Sequence, residues 1–168
     1  CGLGYELPHY AHLPYVAAPG RRDKLSKRKL AAYLKDADFK KVYDHGAAVM
    51  AALGREVTPE RFSPVTVEFY RDVGYRPDAL VNYLLLLGWS LDDRTEAFTR
   101  DQMVSHFTLA RVNKSAASFD PQKLMAFEER YMQDTPAVDK AALAAPFLQA
   151  AGLQAASPSA DECVRLAR

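Results

Sequence analysis

The placement of proline and glycine is the feature of this sequence that most limits its fold. Proline is tolerated at the first position of a helix, and Ser, Thr or Asp favours the capping position before it. Glycine ends helices because it adopts left-handed backbone angles at low cost. These signals predict the following limits: a start at Ser63-Pro64 and a stop at Gly74, a start at Pro77 and a stop at Gly88, a capping box of Thr99 and Gln102, a start at Asp120-Pro121, and a helix over Val138–Ala151 that ends at Gly152.

Hydrophobic spacing adds a further helix over residues 38–54, where six apolar side chains stand in helical register. In the helix that begins at Pro77, apolar residues surround most of the circumference, which predicts burial on nearly all sides. Trp89 and the Leu84–Leu87 run are predicted to be core. Strand signals are confined to 13–18 and 117–120. The fold class predicted from the sequence is mainly α.

Composition narrows the function classes. The net charge of the 168 residues is +1, so unspecific coating of nucleic acid is disfavoured while a local basic site is allowed. No apolar run reaches the roughly 20 residues that cross a bilayer. The two cysteines, Cys1 and Cys163, give no disulfide or metal framework, which predicts a cytoplasmic protein. Because the chain opens on Cys1 and closes within a helical pattern, we expect a piece of a longer protein.

The one charge run is the stretch "GRRDKLSKRK" at 20–29, where six cations surround the single carboxylate of Asp23. Three interpretations fit: a solvated surface loop, a nuclear-type basic signal, or a phosphate-binding site. The last is favoured by the spacing of Lys24 and Lys27, which are three residues apart with Ser26 between them. Two ammonium groups and a hydroxyl could converge on one phosphate chain from a single turn.

"KLSKR" at 24–28 resembles the "KMSKS" signature of class I aminoacyl-tRNA synthetases, in the form typical of the glutamyl and glutaminyl enzymes. The flanking sequence makes the resemblance specific. "YAHLPYVAAPGRRDKLSKR" at 10–28, "GYRPDALVNYLLLLGWSLDD" at 74–93 and "FTLARVNKSAASFDPQKL" at 107–124 resemble three successive blocks of glutamyl-tRNA synthetase in the same order. The resemblance therefore covers most of the chain.

The resemblance implies glutamate activation by ATP, with Mg²⁺ expected, followed by transfer of glutamate to tRNA. By motif position, Lys27 would contact the ATP phosphates and act in catalysis with Lys24. Ser26 and Arg28 complete the implied ATP-binding set. The residues implied to contact tRNA are Arg21 and Arg22 at the acceptor end and Arg111, Lys114 and Lys123 along the backbone.

The resemblance also implies a division of the chain. Residues 1–29 would be the end of the catalytic domain, 68–135 an α-rich stem-contact domain, and 136–168 the start of a helical anticodon-binding domain. The nucleotide-binding half of the family has no counterpart here. Residues 30–67 are a helical insertion relative to typical members, interpreted either as a surface decoration or as an extra contact for tRNA or a partner.

Other interpretations stay open. A piece of a glutaminyl-tRNA synthetase is the alternative within the same class. A non-catalytic helical module that binds tRNA or protein is the alternative outside it. A zinc site at His9 and His12 is disfavoured because neither a Cys nor a third His lies nearby, and His45 and His106 are interpreted as ordinary histidines. A monomer without membrane contact is expected, and no metal site is expected within this chain.

Overall fold

A computed structural model describes residues 4–6 and 10–153 of the chain. Cys1, His9, Cys163 and the last 15 residues of the predicted 136–168 domain lie outside the described residues. Within the described part the elements are β1 (Val16–Ala17), α1 (Leu30–Tyr33), α2 (Ala37–Ala52), α3 (Val67–Val73), α4 (Pro77–Leu86), α5 (Arg100–His106), β2 (Ala117–Ser118), α6 (Pro121–Gln133) and α7 (Ala137–Ala150), with 3₁₀ turns at Lys27–Lys29 and Leu109–Arg111. The helix-rich fold class is confirmed.

Local capping chemistry places most helix limits where the sequence predicts them. Asp120 accepts a hydrogen bond from the Lys123 N–H at the start of α6, and Pro121 is its first residue. The Thr99–Gln102 capping box at α5 forms both of its reciprocal bonds. Gly74 ends α3 with φ of 97°. The predicted helix limits at Asp120, Thr99 and Gly74 are confirmed. They could be predicted because the hydrogen bonds at each limit join residues three or four apart in the sequence.

The predicted start of α3 at Pro64 is wrong. Residues 63–66 form a turn in which the Thr66 N–H donates to the Ser63 carbonyl at 3.0 Å. The buried Tyr70 hydroxyl donates to the Pro64 carbonyl at 2.6 Å. This carbonyl therefore accepts a bond from a side chain in α3 rather than a helical bond from a backbone N–H. The helix consequently begins at Val67.

The stop predicted for α4 at Gly88 is confirmed, because the helix ends at Leu86 with Leu87 as its C-cap and Gly88 follows directly. Beyond this stop the Gly88 carbonyl accepts the Asn113 N–H at 2.7 Å, and Trp89 pairs in antiparallel fashion with Val112. The predicted burial of α4 on nearly all sides is wrong, because Val81 and Leu84 are 39% and 44% exposed. Trp89 is core, as predicted, at 2% exposed, but Leu84 is not.

The two predicted strands exist and pair with each other in parallel, Val16 opposite Ala117 and Ala17 opposite Ser118. On the other side of β1, Ala17 forms an antiparallel bridge with Lys24. The chain therefore runs along β1, turns, and returns beside it through Lys24.

The main core joins α2, α3, α4 and α6, together with α1 and the segments around the strands. Helix α2 contributes Phe39, Val42 and Met50 to it. Gly46 lies so close to α3 that a β-carbon at this position would be 2.5 Å from Cζ of Phe69. Residues 30–67 are therefore part of the core rather than a purely surface addition.

A buried polar residue connects α4 to the rest of the fold. Asn82 is fully buried, and its side chain donates to the Glu96 carbonyl at 2.7 Å and accepts the Phe98 N–H at 2.7 Å. The Tyr131 hydroxyl of α6 lies 2.8 Å from Oδ1 of Asn82. This amide therefore holds α4, α6 and the segment before α5 in register.

Candidate functional site

The basic loop at 20–29 is a closed hairpin between β1 and α1. The Ala18 N–H donates to the Asp23 carbonyl at 2.9 Å, and the Leu25 N–H donates to the Val16 carbonyl at 2.8 Å. The turn passes through Gly20, whose φ of 63° suits glycine. At its far side the Tyr15 hydroxyl donates to the Arg22 carbonyl at 2.8 Å. The backbone of this loop is thus fixed by the strand that leads into it.

The second half of the loop is anchored to α1. The Ser26 N–H donates to the Tyr33 hydroxyl at 3.1 Å, and the Lys29 N–H donates to the Ser26 carbonyl at 3.1 Å. Leu25 packs against the main core, in which Leu30 and Tyr33 are buried. The 3₁₀ turn that carries Lys27 therefore sits on a rigid base.

Asp23 neutralises two of the six cations. Its carboxylate lies 2.9 Å from Nε of Arg21 and 2.8 Å from Nζ of Lys29. The hydrogen bond from Lys29, and after it the one from Arg21, lowers the pKa of Asp23 below its ordinary value. These two ion pairs connect the turn at Arg21 and Asp23 to Lys29 at the end of the loop. Arg21 and Lys29 are therefore already paired within the chain.

The remaining four cations, Arg22, Lys24, Lys27 and Arg28, are exposed and form no ion pair with the described residues. The Glu68 carboxyl has a lowered pKa, chiefly from hydrogen bonds by its own N–H and by Thr66, with a smaller electrostatic contribution from Lys27. The Ser26 side chain forms no capping hydrogen bond at the turn. Lys24, Ser26 and Lys27 thus keep their polar groups available to an anion.

The three predicted tRNA contacts outside the loop differ in their surroundings. Arg111 donates to the Leu91 carbonyl. Lys123 forms an ion pair with Glu96 at 2.6 Å. Lys114 is exposed and has no ion pair within the described residues. The strand pairings direct the segments that carry Lys27 and Lys114 towards the same end of the small sheet, whereas the Arg21–Arg22 turn lies at the other end.

The two best-formed clefts of the described residues lie away from the loop. Two clefts, of about 350 and 570 Å³, are lined by residues of α6, α7 and the start of α4, and neither includes a loop residue. Across residues 4–6 and 10–153, no three His, Cys, Asp or Glu side chains are grouped to hold a metal ion, and His12 is exposed. In the same residues, each helix is too short or too polar to span a bilayer.

Two residues that matter at the loop were missed by sequence reasoning. Tyr33 was not assigned a role, and Asp23 was noted only as a lone carboxylate among cations. No local pattern indicates the role of Tyr33, because its hydroxyl reaches Ser26 only after α1 folds back on the loop. A clue existed for Asp23, since arginine and lysine flank it on both sides.

Comparison with known proteins gives one family. The family model for the catalytic domain of class I tRNA synthetases (E and Q) matches residues 60–126, which begin after the loop. The chain is 38% identical to glutamate–tRNA ligase of Dehalococcoides mccartyi over 147 residues, which are 88% of this chain and 23% of that protein. It is 34% identical to the glutamate–tRNA ligase of Desulforudis audaxviator over 99% of this chain and 26% of that protein, a match that includes the loop.

Solved structures agree. A crystal structure of a glutamate tRNA ligase from Elizabethkingia meningosepticum superposes with a TM-score of 0.63 at 26% identity, covering 94% of this chain and 28% of that one. The glutamate-tRNA synthetase of Elizabethkingia anophelis superposes with a TM-score of 0.62. The chain spans about a quarter of the length of the curated relatives it matches. It therefore belongs to the glutamyl-tRNA synthetase family of class I aminoacyl-tRNA synthetases and matches one segment of those longer proteins.

Proposed function

We propose that the protein containing this segment is a glutamate–tRNA ligase, which activates glutamate with ATP and transfers it to tRNA. The names of the relatives and their identity across most of the chain support this activity. In this proposal the segment supplies the phosphate-contacting loop and helices that contact tRNA, while the rest of the nucleotide pocket comes from other parts of the protein. The segment by itself is then inactive in glutamate activation.

The observation that carries the role of the loop is the contrast among its cations. Asp23 occupies Arg21 and Lys29, whereas Lys24 and Lys27 are exposed and unpaired within the described residues. Lys27 contacts the ATP phosphates and stabilises the negative charge that builds on the leaving pyrophosphate. Lys24 supports it electrostatically, and the Ser26 hydroxyl and Arg28 complete the binding set. A lysine suits this task because its ammonium group is a mobile point charge.

The tRNA contacts are proposed with the same reasoning. Of the five cations predicted to contact tRNA, Arg21, Arg111 and Lys123 already bond to groups of this chain. The side chains of Arg22 and Lys114 form no ion pair within the described residues and are the better candidates for phosphate contacts. Such cations position RNA through its phosphates without reading its sequence. The division at 1–29, 30–67, 68–135 and 136–168 remains a prediction, as do cytoplasmic location and a monomeric state.

ATP use follows from the family, and Mg²⁺ is an expectation that the family brings. The described residues present no carboxylate cluster for this ion. The roles proposed for Lys24, Ser26 and Lys27 do not depend on it.

The alternatives give different results in two assays. A glutaminyl-tRNA synthetase would charge its tRNA with glutamine rather than glutamate. A non-catalytic module would bind tRNA with an affinity that falls as salt rises, yet would not need Lys27 for any reaction.

Lys27→Ala in the full-length protein tests the proposal. Loss of one transition-state contact is expected to lower the rate of tRNA glutamylation about 10²–10³-fold. Lys35→Ala is the matched control, because Lys35 is an exposed lysine outside the loop with no ion pair in the described residues, and it is expected to leave the rate unchanged. If Lys27→Ala glutamylates tRNA at the wild-type rate, the phosphate role is wrong.

A further inference from the structure

Tyr33 occupies an unusual position relative to the loop. It lies at the end of α1, within the stretch 30–67 that the sequence predicts to be an insertion, and it is 2% exposed. Its hydroxyl accepts the N–H of Ser26 at 3.1 Å. Ser26 is the residue that precedes the 3₁₀ turn of Lys27–Lys29. A buried side chain of the insertion thus holds the backbone from which Lys27 projects.

The ring of Tyr33 is itself held by the core. Its centroid is 5.6 Å from that of Phe39 on α2, and Phe39 lies 6.2 Å from Phe119, which follows β2. Phe39 is fully buried, and Asp36 caps the start of α2 through a 2.9 Å bond from the Phe39 N–H. This aromatic row fixes the ring in place, so the hydroxyl presents a fixed acceptor to the loop.

We infer that Tyr33 is a positioning residue for the Lys27 turn, and that the insertion serves the reaction by setting where that turn stands. The inference rests on the proposed function of Lys27. Its physical basis is preorganisation: a phosphate contact stabilises the transition state fully only if the cation is already in place, and a small displacement costs much of the rate. Tyr33 touches neither nucleotide nor tRNA in this role.

The prediction separates positioning from simple stabilisation. In the full-length protein, Tyr33→Phe keeps the ring and its packing but removes the acceptor for the Ser26 N–H. The kcat for glutamylation at saturating ATP is expected to fall about 5- to 10-fold, because a turn that is no longer held at Ser26 presents Lys27 to the phosphates less often in its productive position. The KM for glutamate and the thermal midpoint are expected to stay near wild type.

Two controls accompany this variant. Tyr43→Phe makes the same chemical change in the same insertion, on a partly buried ring that packs on Phe62, and no hydrogen bond of its hydroxyl is present among the described residues. Val42→Ala opens a cavity in the core beneath α2 and lowers stability without touching the loop. Neither control is expected to lower kcat at a temperature well below its midpoint.

A double variant connects the inference to the lysine. If Tyr33 acts through the Lys27 turn, Tyr33→Phe in the Lys27→Ala background is expected to lower kcat by less than about 2-fold further, because coupled residues are not additive. Equal losses in both backgrounds, an unchanged kcat in Tyr33→Phe alone, or a loss that Val42→Ala reproduces would each overturn the inference. Failure of the proposed function appears separately, as wild-type activity of Lys27→Ala alone.

Discussion

Replacement of Asn82 by alanine is expected to destabilise the chain through one buried hydrogen-bond network. The side chain is fully buried and joins three elements, with partners at Glu96, Phe98 and Tyr131. Alanine removes the acceptor of the Phe98 N–H, which is buried. The Glu96 carbonyl belongs to an exposed residue and can turn to solvent.

These surroundings set the magnitude. An unsatisfied buried N–H costs about 1–3 kcal/mol, and the lost bond to the Glu96 carbonyl costs about 1 kcal/mol. Tyr131 loses little, because its hydroxyl is also 2.7 Å from the Phe98 carbonyl. The free energy of unfolding is therefore expected to fall by about 2–4 kcal/mol, a large share of the about 5–15 kcal/mol typical of a folded protein.

Equilibrium unfolding in urea of the 168-residue chain measures this loss. The single tryptophan, Trp89, is 2% exposed and reports unfolding by its fluorescence. With a denaturant slope of about 2 kcal/mol/M, the midpoint is expected to move down by about 1–2 M.

Two further variants sharpen the result. Asn113→Ala, at an exposed asparagine, is expected to change the free energy of unfolding by less than about 0.5 kcal/mol. Asn82→Asp is expected to be more destabilised at pH 7 than at pH 5, because burial raises the pKa of a carboxyl and only its protonated form can donate to the Glu96 carbonyl. A midpoint within about 0.3 M of wild type for Asn82→Ala would refute the reasoning.

Three other predictions follow from single contacts. Gly46→Ala gains about 1 kcal/mol of helix propensity, but its β-carbon would overlap Phe69 and displace α2 at a cost of about 1–3 kcal/mol. A lower thermal midpoint is therefore expected, and a higher midpoint would contradict the tight packing. Lys29 lowers the pKa of Asp23, so the stabilisation from that carboxylate is present above its unfolded pKa and is lost as pH falls through its folded pKa. Carboxyl NMR of the Lys29→Gln variant is expected to show a higher Asp23 pKa than in wild type, and an unchanged pKa would contradict the ion pair. Burial raises the pKa of Glu128, so ionisation of this carboxyl disfavours folding as pH rises through its folded pKa. Glu128→Gln is therefore expected to raise the thermal midpoint relative to wild type more at pH 7 than at pH 4. An equal effect at the two pH values would contradict this cost of burial.

The predictability of this fold follows the range of its interactions. The limits at Asp120 and Thr99 could be predicted because the groups that satisfy these helix ends lie within three residues of them. The limit at Pro77 could be predicted because proline suits the first position of a helix. The start of α3 could not, because the Pro64 carbonyl is taken by the side chain of Tyr70. Nor could the exposure of Val81, because periodicity says which side chains are apolar and not which neighbour will cover them.

The same distinction applies at the loop. Its six cations, and the spacing of Lys24, Ser26 and Lys27, are properties of the sequence and carry the resemblance to the family. Folding determines which of these cations form ion pairs with Asp23, and it brings the Tyr33 hydroxyl within hydrogen-bond distance of the Ser26 N–H. It also pairs β1 with a strand that begins 101 residues further along the chain, Ala117 opposite Val16. Charge and capping are local and can be read along the chain, whereas a pairing between distant residues exists only once the core has packed behind it.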